Sequence, residues 1–186
     1  AVGLYAALDV LLGGSSRSAT LPWSFPLGSG AIGLDALSAW FLLVLLVVSG
    51  LVAVYGARYL RAEEAHRRTG GTWLAFGVLV ASMTLVVTAR DGLLFLAAWE
   101  LMAVSSFALV VFDHDRAEVR RAGWIYLVAG QIGTACLLAF FLVIDDGSGR
   151  LAFGSPATQA GATIPFLLAL VGFGLKAGFY PLHVWL

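Results

Sequence analysis

Charge is scarce in this sequence, and lysine is the scarcest of its charged residues. Of the 186 residues 12% are charged and 60% are hydrophobic, and the mean hydropathy is +0.92. A soluble domain carries about twice that share of charge, so the composition excludes an ordinary soluble enzyme. The net charge of zero gives no reason to expect nucleic acid as a partner. The single cysteine, Cys136, excludes an intrachain disulfide.

The apolar residues run continuously instead of alternating, a pattern typical of membrane-spanning helices and not of a β-barrel. A bilayer core needs about 20 apolar residues per helix. We therefore predict an all-α fold, a polytopic transmembrane helix bundle that forms a single domain over residues 1–186. The predicted spans are 33–57, 72–89, 92–112, 122–144 and 163–182, with residues 1–12 as the end of a truncated further helix.

The connections between the spans predict the topology. The segments 13–32 and 145–162 are rich in Gly, Ser and Pro and are predicted to be surface loops. Arginine is concentrated in the loops 58–71 and 113–121, which the positive-inside rule places in the cytoplasm. We expect a multi-pass protein of a bacterial inner (cell) membrane. The chain starts without methionine and stops within an apolar stretch, so we expect a fragment of a longer protein.

The only lysine, Lys176, lies inside the apolar run 165–182, whereas the other ten basic residues are arginines. An ammonium group at membrane depth is costly and tends to be kept for a function. Lysine can lose its proton when it is desolvated, whereas arginine stays charged. A group that switches its charge at this depth is what a path for protons or cations needs.

Glu100 is the matching acid, near the middle of the predicted span 92–112. A lone carboxyl group there is either protonated or paired with a cation on another helix, and Lys176 is its natural partner. A pair that forms and breaks would be a switch for proton release. The alternative is a static ion pair that holds two helices together.

Small residues and a proline surround the lysine and predict a helix broken near membrane depth, at Gly174, Gly178 and Pro181. The alternative is close helix packing through glycine. Three further polar residues are candidates for a relay or a hydrated channel: His183, Gln131 and Thr134. An interfacial histidine and plain interhelical hydrogen bonds explain them equally well.

Catalytic and metal-binding patterns are missing from the sequence. Three scattered histidines and one cysteine do not make a zinc, haem or iron–sulfur site, and there is no phosphate loop or nucleophile elbow. We therefore expect no catalytic residue, no metal site and no cofactor in this chain.

Two motifs carry a resemblance to a known family. At Trp99-Glu100 and along 174–186, with Lys-x4-Pro-Leu-x2-Trp-Leu, the chain resembles the proton-translocating, antiporter-like membrane subunits of respiratory complex I, Mrp cation/proton antiporters and membrane-bound [NiFe]-hydrogenases. The lysine–proline–tryptophan block most resembles hydrogenase-4 component B and the formate hydrogenlyase membrane subunit. The resemblance runs from about Gly33 to Leu186.

The resemblance implies roles for the two charged residues. Glu100 would tune the proton affinity of Lys176, and Lys176 would carry the proton. The complex I branch can have an acid near Thr134, which is not ionisable here. The chain would be part of the first of two inverted repeats.

The resemblance also implies partners. Other membrane subunits, and through them a peripheral redox arm, would accompany the chain in the lipid bilayer, without nucleic acid. Any [NiFe] centre, iron–sulfur cluster or quinone would belong to the partner subunits.

Three functions remain open from the sequence. In the first, the chain would be an ion-translocating subunit of a redox-driven complex, hydrogenase-like or NADH–quinone oxidoreductase-like. Alternatively it is a component of a secondary Na⁺/H⁺ antiporter, or a static membrane scaffold whose charges clamp helices.

Overall fold

The computed structural model describes residues 2–20, 30–63, 69–145, 153, 162–183 and 185, without the side chains of 61–63. Within these residues, six α-helices and a short hairpin follow one another. They are α1 (Val2–Gly13), β1 (Arg17–Thr20), β2 (Ala31–Leu34), α2 (Ala36–Glu63), α3 (Gly70–Thr88), α4 (Gly92–Val110), α5 (Ala117–Ile144) and α6 (Thr163–Ala177). A 3₁₀ turn, Val111–Asp113, follows α4.

Four of the helices, α2 to α5, are long and apolar enough to cross a membrane. Each packs against the helix that follows it in the chain, and α5 packs against α6. Apolar side chains such as Leu51 and Val54 of α2 are exposed on the outside of the bundle. Such a surface is unfavourable in water and favourable against lipid, as expected for a membrane protein.

Aspartates define where two of the helices begin. The backbone N–H of Ser38 donates to Asp35 Oδ1 at 2.8 Å, just ahead of α2. Asp91 accepts from the backbone N–H groups of Leu93 and Leu94 at the start of α4. These carboxylates satisfy backbone donors that a helix leaves without partners in its first turn. Helix α2 thus begins at Ala36, a few residues after the start of the predicted span 33–57.

The segment 13–32, predicted as a surface loop, contains strand β1 and the start of β2. The two strands pair antiparallel, with Arg17 opposite Leu34. Ile32 also bridges to Ala89, and the N–H of Arg90 donates to Ala31 O at 2.8 Å. The hairpin is therefore fixed to the connection between α3 and α4.

The opposite ends of the helices meet in an apolar groove. Leu60 at the end of α2, Thr72 and Trp73 at the start of α3 and Phe112 after α4 all line it. The segments next to 58–71 and 113–121 therefore lie at one end of the bundle, and the hairpin lies at the other.

The core lies between α4 and α5. Phe95 and Trp99 of α4 pack with Leu137 and Phe141 of α5, and the last two are almost fully buried. The Phe95 and Phe141 ring centroids lie 6.0 Å apart. This cluster holds α4 against α5 at the residues next to Glu100 in the sequence.

Helices α5 and α6 approach each other through glycine. A Cβ atom on Gly172 would lie 2.7 Å from side-chain atoms of Leu137 and 3.1 Å from Gly133 O. Only a residue without a side chain fits at this contact, so Gly172 serves close packing between α5 and α6.

The helix that carries Lys176 ends earlier than the predicted span 163–182. It stops at Ala177, because Gly178 adopts a left-handed conformation (φ 71°) that favours glycine. The N–H groups of Gly178 and Phe179 both bond to Gly174 O. Of the three residues predicted at the break, Gly178 is at the helix end and Pro181 lies beyond it. The third, Gly174, lies within the helix.

Candidate functional site

Glu100 lies near the middle of α4, beside the core residue Trp99. Its Oε2 atom accepts a hydrogen bond from Gln131 Nε2 of α5 at 2.9 Å. Its Oε1 atom is buried and has no hydrogen-bond partner in the described part of the protein. A buried oxygen without a donor is costly. Glu100 therefore has one oxygen held by α5 and one buried oxygen without a donor among the described residues.

Lys176 lies in the last turn of α6 and is half-buried. Its Nζ atom donates a hydrogen bond to the hydroxyl oxygen of Tyr126, on α5, at 2.8 Å. Tyr126 is buried, with 9% of its surface exposed. The phenol oxygen has lone pairs that accept this hydrogen bond from the amine.

Glu100 and Lys176 do not form an ion pair in the part of the chain that the structure describes. Each head group is instead bonded to α5, Glu100 to Gln131 and Lys176 to Tyr126. These two α5 residues are five positions apart, which is about 7.5 Å along a helix and about 140° around it. The two charges are therefore held at different sides of one helix, and the direct pairing predicted from the sequence is not seen.

Aromatic rings join α4 to α6 close to the two charged residues in sequence. The Trp99 and Phe173 ring centroids lie 5.6 Å apart, in an edge-on arrangement, and Phe95 also contacts Phe173. Trp99 is adjacent to Glu100, and Phe173 is three residues before Lys176. The helices that carry the two charges therefore contact each other through apolar rings.

Trp185 packs against the tyrosine that binds Lys176. Its indole Nε1 donates to Leu175 O at 2.6 Å. Its ring lies 5.4 Å from that of Tyr126, edge-on. The segment after α6 therefore folds back on the last helical turn, and Trp185 restricts the position of the ring that bonds Lys176.

The three predicted relay residues have different surroundings. Gln131 bonds to Glu100. Thr134 donates to Gly130 O of its own helix at 3.2 Å. His183 is exposed and stacks on Tyr180, with ring centroids 5.4 Å apart. Only Gln131 contacts one of the two charged residues.

Tyr126 was missed in the sequence. The signal that could have found it is a tyrosine inside the span 122–144, because a buried hydroxyl in a membrane helix needs a partner.

A second polar cluster lies at the hairpin end of the bundle. Arg90 Nη2 donates to Asp35 Oδ2 at 2.8 Å and to Ser38 Oγ at 2.9 Å. The backbone hydrogen bond from Ser38 lowers the pKa of Asp35, with a smaller contribution from the charge of Arg90. A Cβ on Gly33 would lie 2.7 Å from Arg90 Nε, so the hairpin rests on this side chain. The cluster joins α2, the hairpin and the α3–α4 connection.

Among the residues that the structure describes, no group of three His, Cys, Asp or Glu side chains lies close enough together to hold a metal ion.

Comparison with known proteins identifies the family. Residues 89–186 match the family model described as "NADH:quinone oxidoreductase/Mrp antiporter, TM", which is more than half of the chain. The chain belongs to this family. Residues 29–68 also match the model "NADH-Ubiquinone oxidoreductase (complex I), chain 5 N-terminus". The family resemblance stated from the Trp-Glu and lysine–proline–tryptophan motifs is confirmed.

Individual relatives agree with this assignment. The chain is 38% identical over 175 residues to an uncharacterized protein of Mycobacterium tuberculosis, which covers 93% of this chain and 27% of the relative. It is 29% identical over 191 residues to hydrogenase-4 component B of Escherichia coli, covering 100% of this chain and 28% of the relative. The chain thus spans little more than a quarter of the length of these two relatives.

A solved structure shows the same fold. A chain of the Mrp complex from Dietzia sp. superposes with a TM-score of 0.79 at 20% identity, covering 100% of this chain and 36% of that chain. The all-α transmembrane bundle of antiporter-like fold that the sequence predicts is confirmed, with the short hairpin as an addition. This family member is therefore an antiporter-like, multi-pass membrane protein.

Proposed function

We propose that the chain is part of a proton-translocating membrane subunit of a redox-driven complex, hydrogenase-like or NADH–quinone oxidoreductase-like. One observation carries the proposal. The helices α4 and α6 each contain a single charged residue, Glu100 and Lys176, and both residues are hydrogen-bonded to the same intervening helix. Charged residues inside membrane helices are rare and tend to mark ion routes.

The chemistry of the two groups suits a relay. Glu100 has one oxygen held by Gln131 and one buried oxygen that can bind a proton. Lys176 can pass its proton to another group and take one up again, since an amine titrates where a guanidinium does not. In the proposed cycle, the lysine carries the proton, and the charge on Glu100 sets how tightly the lysine holds it. His183 and Thr134 are proposed only as further polar positions.

The energy source is proposed to lie outside the chain. Other membrane subunits, and through them a peripheral redox arm, would supply electron transfer at a [NiFe] centre, an iron–sulfur cluster or a quinone. The proposed location is a bacterial inner membrane, with the loops 58–71 and 113–121 in the cytoplasm. Their arginines support this sidedness.

Proton uptake into inverted membrane vesicles tests the proposal. The vesicles hold the full-length protein, complemented as wild type, Lys176→Ala or Arg121→Ala, and hydrogen, formate or NADH is added as electron donor. Arg121 is the matched control, because it is an exposed basic residue at the start of α5. We expect Lys176→Ala to lose at least nine-tenths of donor-driven proton uptake while the complex still assembles, and Arg121→Ala to keep it. Wild-type uptake by Lys176→Ala would overturn the role of the lysine.

A secondary Na⁺/H⁺ antiporter component is the second candidate. The match to a family model that covers Mrp antiporters and the fold shared with a chain of the Mrp complex favour it. The same vesicles separate the two functions. An antiporter releases protons after a pulse of NaCl without any electron donor, whereas a redox-driven pump responds to the donor.

A static scaffold is the third reading of the charges. It predicts that Glu100→Gln and Lys176→Ala reduce the amount of assembled complex and leave the transport per assembled complex unchanged.

A further inference from the structure

Two uncharged residues of α5 hold the two charged residues of the site. We propose that Tyr126 and Gln131 are positioning residues for Lys176 and Glu100. Each bonds to the charged form of its partner and keeps it against α5, so that the two charges meet only after these hydrogen bonds are released. This inference rests on the proposed function and names the groups that control its site.

Tyr126 is suited to hold an ammonium group. Its hydroxyl oxygen has lone pairs for the Nζ donor at 2.8 Å, and a hydrogen bond from a charged donor is stronger than one between neutral groups. The ring is buried, and the edge-on contact with Trp185 restricts its position. The indole of Trp185 is in turn tied to Leu175 O, one residue before Lys176. The phenol and the lysine are therefore fixed relative to each other.

Gln131 is suited to hold a carboxylate. Its Nε2 atom donates to Glu100 Oε2 at 2.9 Å. A glutamine amide has no titration of its own at physiological pH, so it supplies this donor whatever the charge of its surroundings. A hydrogen bond to a charged acceptor is stronger than one between neutral groups. The second oxygen, Oε1, is buried and has no hydrogen-bond partner in the described part of the protein.

The described helices around the two head groups carry few other titratable groups. Helix α3 carries none, and α4 and α6 carry only Glu100 and Lys176 themselves. Helix α5 adds Tyr126, Cys136 and, near its first turn, Glu118, Arg120 and Arg121, while Tyr180 and His183 lie beyond α6. Of these groups, Tyr126 is bonded to Lys176. The pH profile of transport is therefore a suitable readout for the two contacts.

The test uses the full-length protein in its membrane complex and measures donor-driven proton uptake across a range of pH. The variants are Tyr126→Phe, which keeps the ring against Trp185 and removes the hydroxyl, and Gln131→Met, which keeps the length and removes the donor. Tyr5→Phe, at an exposed tyrosine of α1, is the control. Tyr126→Phe is expected to shift the pH profile of proton uptake to lower pH, because the protonated amine loses its acceptor.

Gln131→Met is expected to shift the pH profile of proton uptake to higher pH, because the ionised carboxyl group loses its donor. Opposite shifts are the result that a merely structural role would not produce. Assembled variants with the wild-type pH profile, or with a uniformly lower rate and no shift, overturn the proposal. Gln131 has an exposed side chain, so its variant decides the matter if Tyr126→Phe fails to accumulate.

The result is separable from the proposed function. If Lys176→Ala transports protons like the wild type, the proposed function fails. If Lys176→Ala is inactive and the two α5 variants show no shift, only the positioning role fails.

Discussion

Gln131 of α5 donates a hydrogen bond from Nε2 to Oε2 of Glu100, 31 residues earlier in the chain, at 2.9 Å. The contact places the only carboxyl group of α4 against α5. The tyrosine that binds Lys176, Tyr126, is on the same helix as Gln131. Glu100→Gln should remove the titrating group and lower donor-driven proton uptake at least tenfold without loss of assembly.

A double variant sharpens this prediction. In Glu100→Gln/Gln131→Glu the carboxyl group moves across the same hydrogen bond, and an amide still faces a carboxylate. We expect it to recover a measurable part of the transport that Glu100→Gln loses. If the double variant takes up protons no faster than Glu100→Gln, this prediction is wrong. The carboxyl group must then be on α4, with its oxygen that is not bonded to Gln131 as the important atom.

Thr134 gives a prediction of no effect. Its hydroxyl is bonded to Gly130 O of its own helix, so it contacts neither charged residue. Thr134→Val, which keeps the shape of the side chain, should leave the rate and the pH profile of proton uptake unchanged. A loss of transport comparable to that of Lys176→Ala would make this hydroxyl part of the proton path after all.

The glycine contact between α5 and α6 predicts a difference in stability. Gly172→Ala places a Cβ 2.7 Å from Leu137 and should destabilise the protein by about 1–3 kcal/mol, the usual cost of overpacking. Gly130→Ala, where nothing lies within 4 Å, should stabilise α5 by about 0.5–1 kcal/mol. The measurement is thermal unfolding of the full-length protein in detergent. Equal melting temperatures for the two variants would contradict the close packing.

Asp35 predicts a dependence of stability on pH. Its pKa is lowered in the folded protein, mainly by the hydrogen bond from the backbone of Ser38. The carboxylate therefore stabilises the fold above its unfolded pKa of about 3.9, and this contribution is lost as the pH falls through the lower folded pKa. Melting temperatures of wild type and Asp35→Asn should differ at neutral pH and converge below about pH 4.

The guanidinium of Arg90 contributes less to this effect than the cap does. In Arg90→Gln, most of the difference in melting temperature between neutral and acid pH should therefore remain. If Arg90→Gln abolishes the difference and Asp35→Asn leaves it intact, the assignment to the capping bond is wrong.

The parts of the fold that depend on composition could be predicted from the sequence. Continuous apolar runs marked the membrane helices, and the cost of burying charge singled out Glu100 and Lys176. The end of α6 was placed too late, because the run of apolar residues continues past Gly178, where the backbone turns left-handed. The hairpin was missed because strands of four residues leave no clear alternation in the sequence.

The partners of the two charges could not be predicted. The contacts of Gln131 with Glu100 and of Tyr126 with Lys176 join residues 31 and 50 positions apart. Which faces of three helices meet depends on packing, such as the close approach of Gly133 and Gly172, and not on local periodicity. Opposite charge alone favoured a direct ion pair between Glu100 and Lys176. In the structure each of them is bonded to a side chain of α5 instead.

The placement of Tyr126 and Gln131 on one helix has a mechanical consequence. A helix turns as a rigid rod, so a rotation of α5 about its long axis would stretch both hydrogen bonds in the same movement. Glu100 and Lys176 would then lose their hydrogen-bond partners on α5 together, although the two side chains are not paired with each other in this structure. A partner subunit that moves α5 would therefore act on both charged residues of the site through a single helix.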